Sequence, residues 1–432
     1  MSRRKSYYGK RKYVTKNEDG QTFIILLMTK LRIAVQGCCH GQLNQIYKEV
    51  SRIHAKTPID LLIILGDFQS IRDGQDFKSI AIPPKYQRLG DFISYYNNEI
   101  EAPVPTIFIG GNHESMRHLM LLPHGGYAAK NIFYMGYSNV IWFKGIRIGS
   151  LSGIWKEWDF NKQRPDWNDL ENNNWKANIR NLYHVRISDI APLFLIKHRI
   201  DIMLSHDWPN GVVYHGDTKH LLKLKPFFEQ DIKEGKLGSP VTWQLLRDLR
   251  PQWWLSAHLH VRFMASIKHN KRSHEPPNKS TSKTKKNNNE IDLDLSSDED
   301  ERSGILNCQE ENEYDSKYGE TRFLALDKCL PRRRWLEILE IEPDTSHASW
   351  KDENHRMFWD PEFINNLVIC QKNKNLLSNK PFNSVNWIEL SQSNREEGRD
   401  IDWENYAIPA YTLDIQKDEV RQTKAFISKF MT

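Results

Sequence analysis

Five short apolar segments share one pattern, in which a hydrophobic run stops abruptly at a polar loop. These runs lie at residues 31–35, 59–65, 106–109, 200–204 and 253–256. Nearly uninterrupted apolar strands are typical of a sheet that is covered on both faces. A helical spacing follows the first run, at Leu43, Ile46, Val50 and Ile53. The pattern therefore predicts an α/β architecture with polar loops at the carboxyl edge of its strands.

Each of these loops carries side chains that can bind metal ions. In chain order they are Cys38, His40, Asp67, Asn112, His113, His206, His258 and His260. A single histidine in such a loop is more often structural than a ligand. The five loops are expected to converge on one rim, where packing requires neither imidazoles nor carboxylates. Two divalent cations need a bridging carboxylate, and Asp67 is the candidate. Imidazole-rich sites suit Zn, Fe or Mn better than Mg.

The same residues form five ordered blocks that resemble the signatures of the calcineurin-like metallophosphoesterases. The blocks lie at residues 38–41, 66–67, 110–114, 205–206 and 257–260, where the family has D-x-H, G-D, G-N-H-[DE], G-H and G-H-x-H. The resemblance implies an αββα sandwich. It also implies two groups of metal ligands that share Asp67. One group is Cys38, His40 and His260, and the other is Asn112, His206 and His258.

One departure from the family pattern has chemical consequences. Cys38 stands where the family has aspartate, and a thiolate favours Zn or Fe(II) over Mn or Mg at that position. We therefore expect two divalent metal ions, Fe(II) and/or Zn by preference, with Mn as a further option. A cysteine at this place is a trait of the RNA lariat debranching subfamily. The chain resembles that subfamily from residue 28 onward, for example at residues 205–209 and 323–331.

The subfamily resemblance implies a reaction. The enzyme would hydrolyse the 2′-5′ phosphodiester bond at the branch point of excised intron lariats, using a bridging water that the metals activate. The product would be linear intron RNA for turnover. His113 is expected to be the catalytic acid and not a ligand, since an imidazolium there can protonate a departing oxygen. Glu114 either orients His113 or is a solvated surface residue, and the sequence favours neither.

Residues 154–192 combine aromatic rings with cations. Such a segment stacks unpaired bases on its rings and binds phosphates with its cations, although rings more often pack in a core. Interleaved polar residues, such as those at 172–174, argue against burial, and the resemblance implies a lariat-recognition insert here. We expect Tyr183, His184 and Arg186 to face the branch. Trp155 and Lys156 are further predicted contacts.

Composition changes along the chain and predicts its domains. Residues 1–27 form a basic extension that we expect to be disordered. Residues 28–342 form the metallophosphoesterase domain. Within it, residues 268–318 are first basic and then acidic, and the stretch up to Ser303 has no Phe, Trp or Tyr, so a disordered insertion is predicted. Residues 343–432 are expected to form a small, mainly α-helical C-terminal domain.

Overall composition narrows the class of protein. A hydrophobic content of 39% with 14 Trp indicates a globular chain, and a net charge of +6 is only a mild bias towards anionic partners. Five irregularly spaced cysteines favour a reducing compartment. No apolar run is long enough to span a bilayer, so we expect no membrane contact. The expected location is the nucleus, because lariats arise in the nucleus. The cytoplasm is a second expected location.

Two other functions remain open at this stage. The same five blocks serve phosphodiesterases and nucleases that act on other nucleic acids or nucleotides. A scaffold that kept the sandwich and lost catalysis is disfavoured, since His113 and every ligand position are present. The expected partner is branched, or lariat, RNA. Splicing-associated proteins are a further candidate partner, which the sequence offers no way to test.

Overall fold

The computed structural model describes residues 12–16, 22–26, 30–269, 319–377, 385, 390, 401–412 and 418–431. The strands in these ranges are β1 Lys12–Lys16, β2 Thr22–Leu26, β3 Leu31–Gln36, β4 Leu61–Ile64, β5 Thr106–Phe108, β6 Gly126–Ala129, β7 Ile132–Tyr134 and β8 Ser138–Phe143. They continue with β9 Ile146–Leu151, β10 Ile202–Ser205, β11 Trp253–Ser256, β12 Phe263–Lys268, β13 Glu320–Ala325, β14 Leu336–Ile341 and β15 Met357–Trp359.

The helices are mostly short. In chain order they are α1 Leu43–His54, α2 Phe92–Tyr96, α3 Met116–Leu119, α4 Glu157–Phe160, α5 Trp167–Asp169, α6 Trp175–Asn178, α7 Ile187–Phe194, α8 Thr218–Leu224, α9 Phe228–Lys233, α10 Pro240–Leu249, α11 Ala348–Lys351, α12 Pro361–Lys372, α13 Lys374–Leu377 and α14 Glu419–Phe430. A π-helical turn, Leu170–Asn174, joins α5 to α6. Turns of 3₁₀ helix lie at Gly74–Ser79, Pro84–Tyr86, Asn181–Tyr183, Val212–His215 and Trp403–Tyr406. No helix in the described ranges is long and apolar enough to cross a membrane.

Two large sheets form the body of the fold. The six-stranded sheet has the order β14-β3-β4-β5-β7-β6, and the seven-stranded sheet has the order β12-β13-β11-β10-β9-β8-β15. Strands β3, β4, β5 and β7 of the first sheet and β13, β11, β10 and β9 of the second pair in parallel with one another. The remaining strands, including the inner strand β8, pair antiparallel with their neighbours. Helices cover the outer faces. This is the αββα sandwich that the family resemblance implies.

Strand β4 shows why both faces of these sheets are apolar. Leu61 and Ile63 lie in a core cluster that also contains side chains of the seven-stranded sheet. Leu62 and Ile64 lie in a second cluster, together with the buried face of α1. Successive side chains of a strand alternate between its two faces, so an uninterrupted apolar run is buried on both. Burying each such side chain contributes about 1.5–3 kcal/mol.

The strand arrangement gathers the polar loops at one rim. The five predicted apolar runs correspond to β3, β4, β5, β10 and β11, although β4 is shorter than its run. All five are inner strands, joined to at least one neighbour in parallel register. Parallel strands present their carboxyl ends at the same edge of a sheet. The predicted convergence of the five loops is therefore confirmed.

The C-terminal part is mainly helical, as predicted, but it also contributes a strand. Strand β15 pairs antiparallel with β8 and extends the seven-stranded sheet. Helix α12 packs against α7, where the Asn366 side-chain amide donates to the Pro192 carbonyl at 3.2 Å. Strands β1 and β2 pair antiparallel within the extension for which the sequence predicts disorder. The rest of that extension, and almost all of the insertion predicted at 268–318, lie outside the described residues.

A buried ion pair anchors the C-terminal part. Arg147 in β9 donates from Nε and Nη2 to the carboxylate of Asp360, at 2.8 and 2.7 Å. The same carboxylate accepts from the Trp142 indole at 2.7 Å and from the Phe363 amide at 2.8 Å, which caps helix α12. Burial opposes the charge of Arg147, but Asp360 and Glu362 outweigh it and raise the pKa of the guanidinium.

Replacing this carboxylate should destabilise the fold. Asp360→Ala removes two of the hydrogen bonds of the buried Arg147 guanidinium, which keeps Glu362, and leaves the Trp142 indole without its acceptor. We therefore expect a loss of about 3 kcal/mol in the free energy of unfolding. Urea denaturation followed by tryptophan fluorescence measures it. The matched control is Glu404→Ala, which removes a partner of Arg356 at the surface and should leave the midpoint unchanged. Equal losses in the two variants would contradict this assignment.

Candidate metal centre

Four predicted ligands lie together at the ends of β3, β4 and β11. Ligand atoms of Cys38, His40, Asp67 and His260 are all within 4.8 Å of one another. His40 Nε2 lies 3.0 Å from His260 Nε2 and 3.6 Å from Asp67 Oδ2. A thiol, two imidazoles and a carboxylate that face one another in this way are typical of a transition-metal site. The structure thus brings together the first predicted ligand group and the carboxylate that both groups share.

The second ligand group lies on the other side of the same carboxylate. His206 Nε2 is 3.4 Å from Asp67 Oδ1, and the rings of His206 and His258 have centroids 5.1 Å apart. His206 Nδ1 lies 2.6 Å from the Leu65 carbonyl oxygen. Donation from Nδ1 to that carbonyl leaves the Nε2 lone pair directed towards Asp67. Asp67 therefore lies between the two ligand groups, as a bridging carboxylate must.

Three polar atoms at the centre of the site are buried without a hydrogen-bond partner. They are Asp67 Oδ2, Asn112 Oδ1 and His206 Nε2. A buried polar atom without a partner costs about 1–3 kcal/mol. Each of the three carries a lone pair that a cation can accept, and each belongs to a predicted ligand. The residues present therefore fit divalent cations on both sides of Asp67.

Electrostatics in the site also favour a bound cation. Burial, and then the charge of His40, lower the pKa of His260 to about 3, so its imidazole is neutral and can act as a ligand. Burial opposes ionisation of Asp67, but His206 and His40 hold the pKa of its carboxyl well below the usual range. Burial and the Asp67 charge raise the pKa of the Cys38 thiol. A thiolate at Cys38 therefore requires additional positive charge, which a metal ion supplies.

Several ligands have an unusual backbone conformation. His40, Asp67, His258 and His260 have φ of 50°, 47°, 58° and 49°. These values lie in the left-handed region, where a residue other than glycine is strained by about 1–3 kcal/mol, and such strain is concentrated at functional sites. The surrounding fold holds these four backbones in place, so the ligand directions are set before any cation binds.

The glycines of the blocks permit close approach of the loops. A Cβ atom on Gly111 would lie 2.3 Å from Asp67 Oδ1, and one on Gly66 would lie 2.3 Å from His206 Nδ1. Both distances are far below van der Waals contact. Any side chain at these two positions would therefore displace a predicted ligand.

Glu114 has a structural role that neither sequence hypothesis anticipated. It is buried, and its carboxylate accepts backbone N–H groups of Phe68 at 2.8 Å, Gln69 at 2.8 Å and Gly111 at 2.9 Å. Surface solvation of Glu114 is therefore wrong, and its hydrogen bonds in the described residues go to backbone N–H groups that position the loop of His113. Burial and the Asp67 charge raise the pKa of Glu114 to about 8, while the three N–H donors oppose this shift. Glu114 joins the loop of Asp67 to that of Asn112.

His113 lies beside the ligand cluster. Its ring centroid is 5.7 Å from that of His40, and its backbone N–H donates to Asp67 Oδ1 at 2.9 Å. Its Nδ1 lies 3.1 Å from the Ala81 carbonyl oxygen. Because a carbonyl only accepts, Nδ1 carries a proton, and Nε2 is the atom available for proton exchange.

The aromatic and cationic insert borders the second ligand group. The Trp155 amide donates to the Asp207 carboxylate at 3.1 Å, directly after His206 in the chain. Lys156 Nζ lies 5.4 Å from the ring of Trp158, which is 63% exposed and was not among the predicted contacts. Tyr183 is half-buried; burial and the Asp67 charge raise the pKa of its phenol. We call the surface formed by Trp155, Lys156, Trp158 and Tyr183 the aromatic rim.

Two predicted RNA contacts are instead buried. Arg186 is 1% exposed, and its guanidinium donates to the backbone oxygens of Asn181 at 2.8 Å and His184 at 3.1 Å. His184 is 4% exposed, with Nδ1 2.7 Å from Asp159 Oδ2. Neither side chain reaches the surface in this structure, which corrects the expectation that they face the branch. They hold the turn that presents Tyr183.

Comparisons with known proteins agree with the geometry. The family model for calcineurin-like phosphoesterases matches residues 31–262, and the model for the C-terminal domain of lariat debranching enzymes matches residues 318–428. A lariat debranching enzyme of Saccharomyces cerevisiae is 99% identical over 405 residues, which is 94% of this chain and the whole of that protein. The lariat debranching enzymes of Schizosaccharomyces pombe and Homo sapiens are each 40% identical, over 72% and 73% of this chain. The matched part spans 73% of the first and 50% of the second.

The fold and the ligand set define a calcineurin-like metallophosphoesterase, an enzyme that uses divalent metal ions to hydrolyse phosphodiester bonds. Within that class, the chain belongs to the family of lariat debranching enzymes. The second family model begins at residue 318, so it includes β13 and β14 as well as the helices that follow.

The site should bind divalent cations and gain stability from them. Adding Zn²⁺ or Mn²⁺ to chelator-treated protein should raise the unfolding temperature, because a cation satisfies the three unpaired atoms around Asp67. At 100 times the dissociation constant the gain is about 2.7 kcal/mol. Differential scanning fluorimetry measures the shift. Asp67→Asn should show a much smaller shift, and equal shifts in the two proteins would place cation binding elsewhere.

Proposed function

We propose that this enzyme hydrolyses the 2′-5′ phosphodiester bond at the branch point of excised intron lariats and releases linear intron RNA for turnover. The observation that carries the proposal is the position of the aromatic rim directly beside the ligand cluster around Asp67. The ligand cluster would bind the metal ions that promote hydrolysis, and the aromatic rim would bind unpaired bases of the RNA. Relatives that are named lariat debranching enzymes support the same substrate.

The ligand groups divide as the family resemblance implies. Cys38, His40 and His260 would hold one cation, and Asn112, His206 and His258 the other, with Asp67 shared. When bound, the two cations would lower the pKa of a water molecule and stabilise negative charge on the phosphoryl oxygens. We propose Fe(II) and/or Zn as the preferred ions, with Mn as a further option, because thiolate and imidazole are softer ligands than carboxylate.

His113 is the proposed general acid. The Ala81 carbonyl orients its ring through Nδ1, which leaves Nε2 to carry the proton that is donated. The leaving atom is the 2′-oxygen of the branch nucleotide, and protonation there avoids a free alkoxide. Glu114 keeps the loop of His113 in register with the loop of Asp67 through its three backbone hydrogen bonds.

The aromatic rim is the proposed site for bases next to the branch. The exposed ring of Trp158 can stack on an unpaired base, and Lys156 beside it can pair with a phosphate. Tyr183, whose phenol is influenced by the Asp67 charge, is the residue that we propose to contact the branch nucleotide. His184 and Arg186 act by holding Tyr183 in position.

The substrate also suggests the location and the partners. We propose that the enzyme works in the nucleus, with the cytoplasm as a second location, because intron lariats are products of splicing. Splicing-associated proteins, which would meet the enzyme in the nucleus, are proposed as further partners. The alternative substrate, another nucleic acid or a nucleotide, uses the same ligand set, so a cleavage assay must separate the two.

A comparison of two RNA isomers tests the proposed reaction. One RNA carries a single 2′-5′ branch and the other is its linear 3′-5′ isomer, with Zn²⁺, Fe²⁺ and Mn²⁺ added separately. We expect selective cleavage of the branch, and a fall of about 10²–10⁴ in rate for His113→Ala, because proton donation to the leaving oxygen is lost. His220→Ala, at an exposed position of α8, is the matched control and should retain full rate. Equal cleavage of both isomers would point to a general nuclease.

The thiol should set the metal preference. Cys38→Asp restores the carboxylate that other family members have, so the ratio of activity with Mn²⁺ to activity with Zn²⁺ should rise. Steady-state rates on branched RNA with each ion, together with metal content by mass spectrometry, measure this. An unchanged ratio would show that Cys38 is not a ligand. Cys370→Ser, at a buried cysteine in α12, is the control for loss of a thiol.

A further inference from the structure

A second charged loop borders the metal centre on the side away from the aromatic rim. It is the connection between β13 and β14. Its Cys329 amide donates to the Cys38 carbonyl oxygen at 3.2 Å, and the Gly37 amide donates to the Trp335 carbonyl oxygen at 3.0 Å. The loop therefore lies directly against the first ligand group. The insert at 154–192 lies against the second ligand group.

Lys328 lies at the tip of this contact, next to Cys329. Lys328 directly precedes the residue whose amide donates to the Cys38 carbonyl oxygen, so its backbone lies beside the first ligand group. In the described part of the chain, no ion pair joins the Lys328 ammonium to a carboxylate. A cation in this position is repelled by metal ions in the site, and a bound anion would relieve that repulsion.

Two more cations and an exposed ring lie beside Lys328. Arg333 Nη1 is 3.2 Å from Asp327 Oδ2. Lys328 and Arg333 lie in the same loop between β13 and β14. Burial lowers the pKa of Lys225, Asp327 opposes this, and Arg333 and Lys328 add to the lowering. Lys225 Nζ is 5.7 Å from the ring of Phe227, which is 68% exposed. Of the three cations, Arg333 is the one that forms an ion pair with Asp327 in the described residues.

We propose that Lys225, Lys328 and Arg333, with the exposed ring of Phe227, form a second RNA-binding surface. It takes the phosphates of an RNA arm that leaves the branch on the side of Cys38 and His260. A branch nucleotide joins three strand directions, and the aromatic rim borders only the second ligand group. Clustered cations bind the phosphate backbone, and an adjacent exposed ring stacks on a base. This proposal rests on the proposed lariat substrate.

Binding measurements test the surface. The protein carries His113→Ala with its metals bound, so that RNA is not cleaved, and the Kd of fluorescently labelled branched RNA is measured at several KCl concentrations. Lys328→Gln should raise the Kd roughly tenfold, as expected for one lost charge-assisted hydrogen bond. It should also reduce the slope of log K against log salt by about 0.7. Arg333→Gln should act in the same direction, and Lys328→Arg should retain wild-type binding.

The matched control is Lys130→Gln. Lys130 pairs with Glu101 just before β7, at the edge of the sheet opposite the ligand loops, and its loss should leave the Kd unchanged. A second control is hydrolysis of bis(p-nitrophenyl) phosphate, a diester without RNA arms, by protein that retains His113. Its rate should fall much less with Lys328→Gln than the affinity for branched RNA does, because this diester has no RNA arm for the surface to hold. An equal loss on RNA and on the small diester would place Lys328 in support of the metal centre and overturn the proposal.

An unchanged Kd and salt slope in both Lys328→Gln and Arg333→Gln would also overturn it. Failure of the lariat assignment has a separate signature. In that case protein that retains His113 cleaves the linear isomer as well as the branched one, and the His113→Ala protein binds both isomers equally. The change in Kd for either RNA still decides whether the surface binds the backbone. Unfolding temperatures of all variants exclude a general loss of structure as the cause.

Discussion

The structure depends on one buried carboxylate. Asp67 is almost fully buried, and a charge in such a place is tolerated only when opposite charges or hydrogen-bond donors surround it. His40 lies at 3.6 Å and His206 at 3.4 Å, and the His113 amide donates to it. Glu114, a second buried carboxylate, ties the same loops together. The site is therefore built around negative charge that divalent cations complete.

Both sheets are needed to form this centre. The six-stranded sheet supplies the loops of Cys38, Asp67 and Asn112, and the seven-stranded sheet supplies those of His206 and His258. Neither sheet alone holds a complete ligand group. The C-terminal strand β15 extends the seven-stranded sheet, which carries the loops of His206 and His258. The buried ion pair between Arg147 and Asp360 joins the same sheet to the C-terminal part. Packing of the C-terminal part and integrity of the metal centre are consequently linked.

Two different surfaces border the metal centre. The aromatic rim offers one exposed ring, Trp158, and two half-buried rings beside the second ligand group, where the Trp155 amide donates to Asp207. The loop after β13 offers cations beside the first group, where Cys329 is tied to Cys38. A branched substrate has arms in several directions, so a site bordered on both sides suits it better than a groove with one basic wall.

The sequence by itself predicted the sandwich and the side chains that converge at one edge of its sheets. Each ligand follows a buried strand, and parallel strands bring their carboxyl ends to one edge, so a local pattern carried global information. Only the tertiary structure decided the exposure of side chains in irregular segments. Glu114 is buried because it accepts from backbone groups of Phe68 and Gln69 in a distant loop, and Arg186 is buried because it donates to backbone carbonyls of the turn just before it. No periodic pattern records such contacts. Strand β15 likewise depends on a tertiary contact, because this short segment becomes a strand only by pairing with the edge of β8.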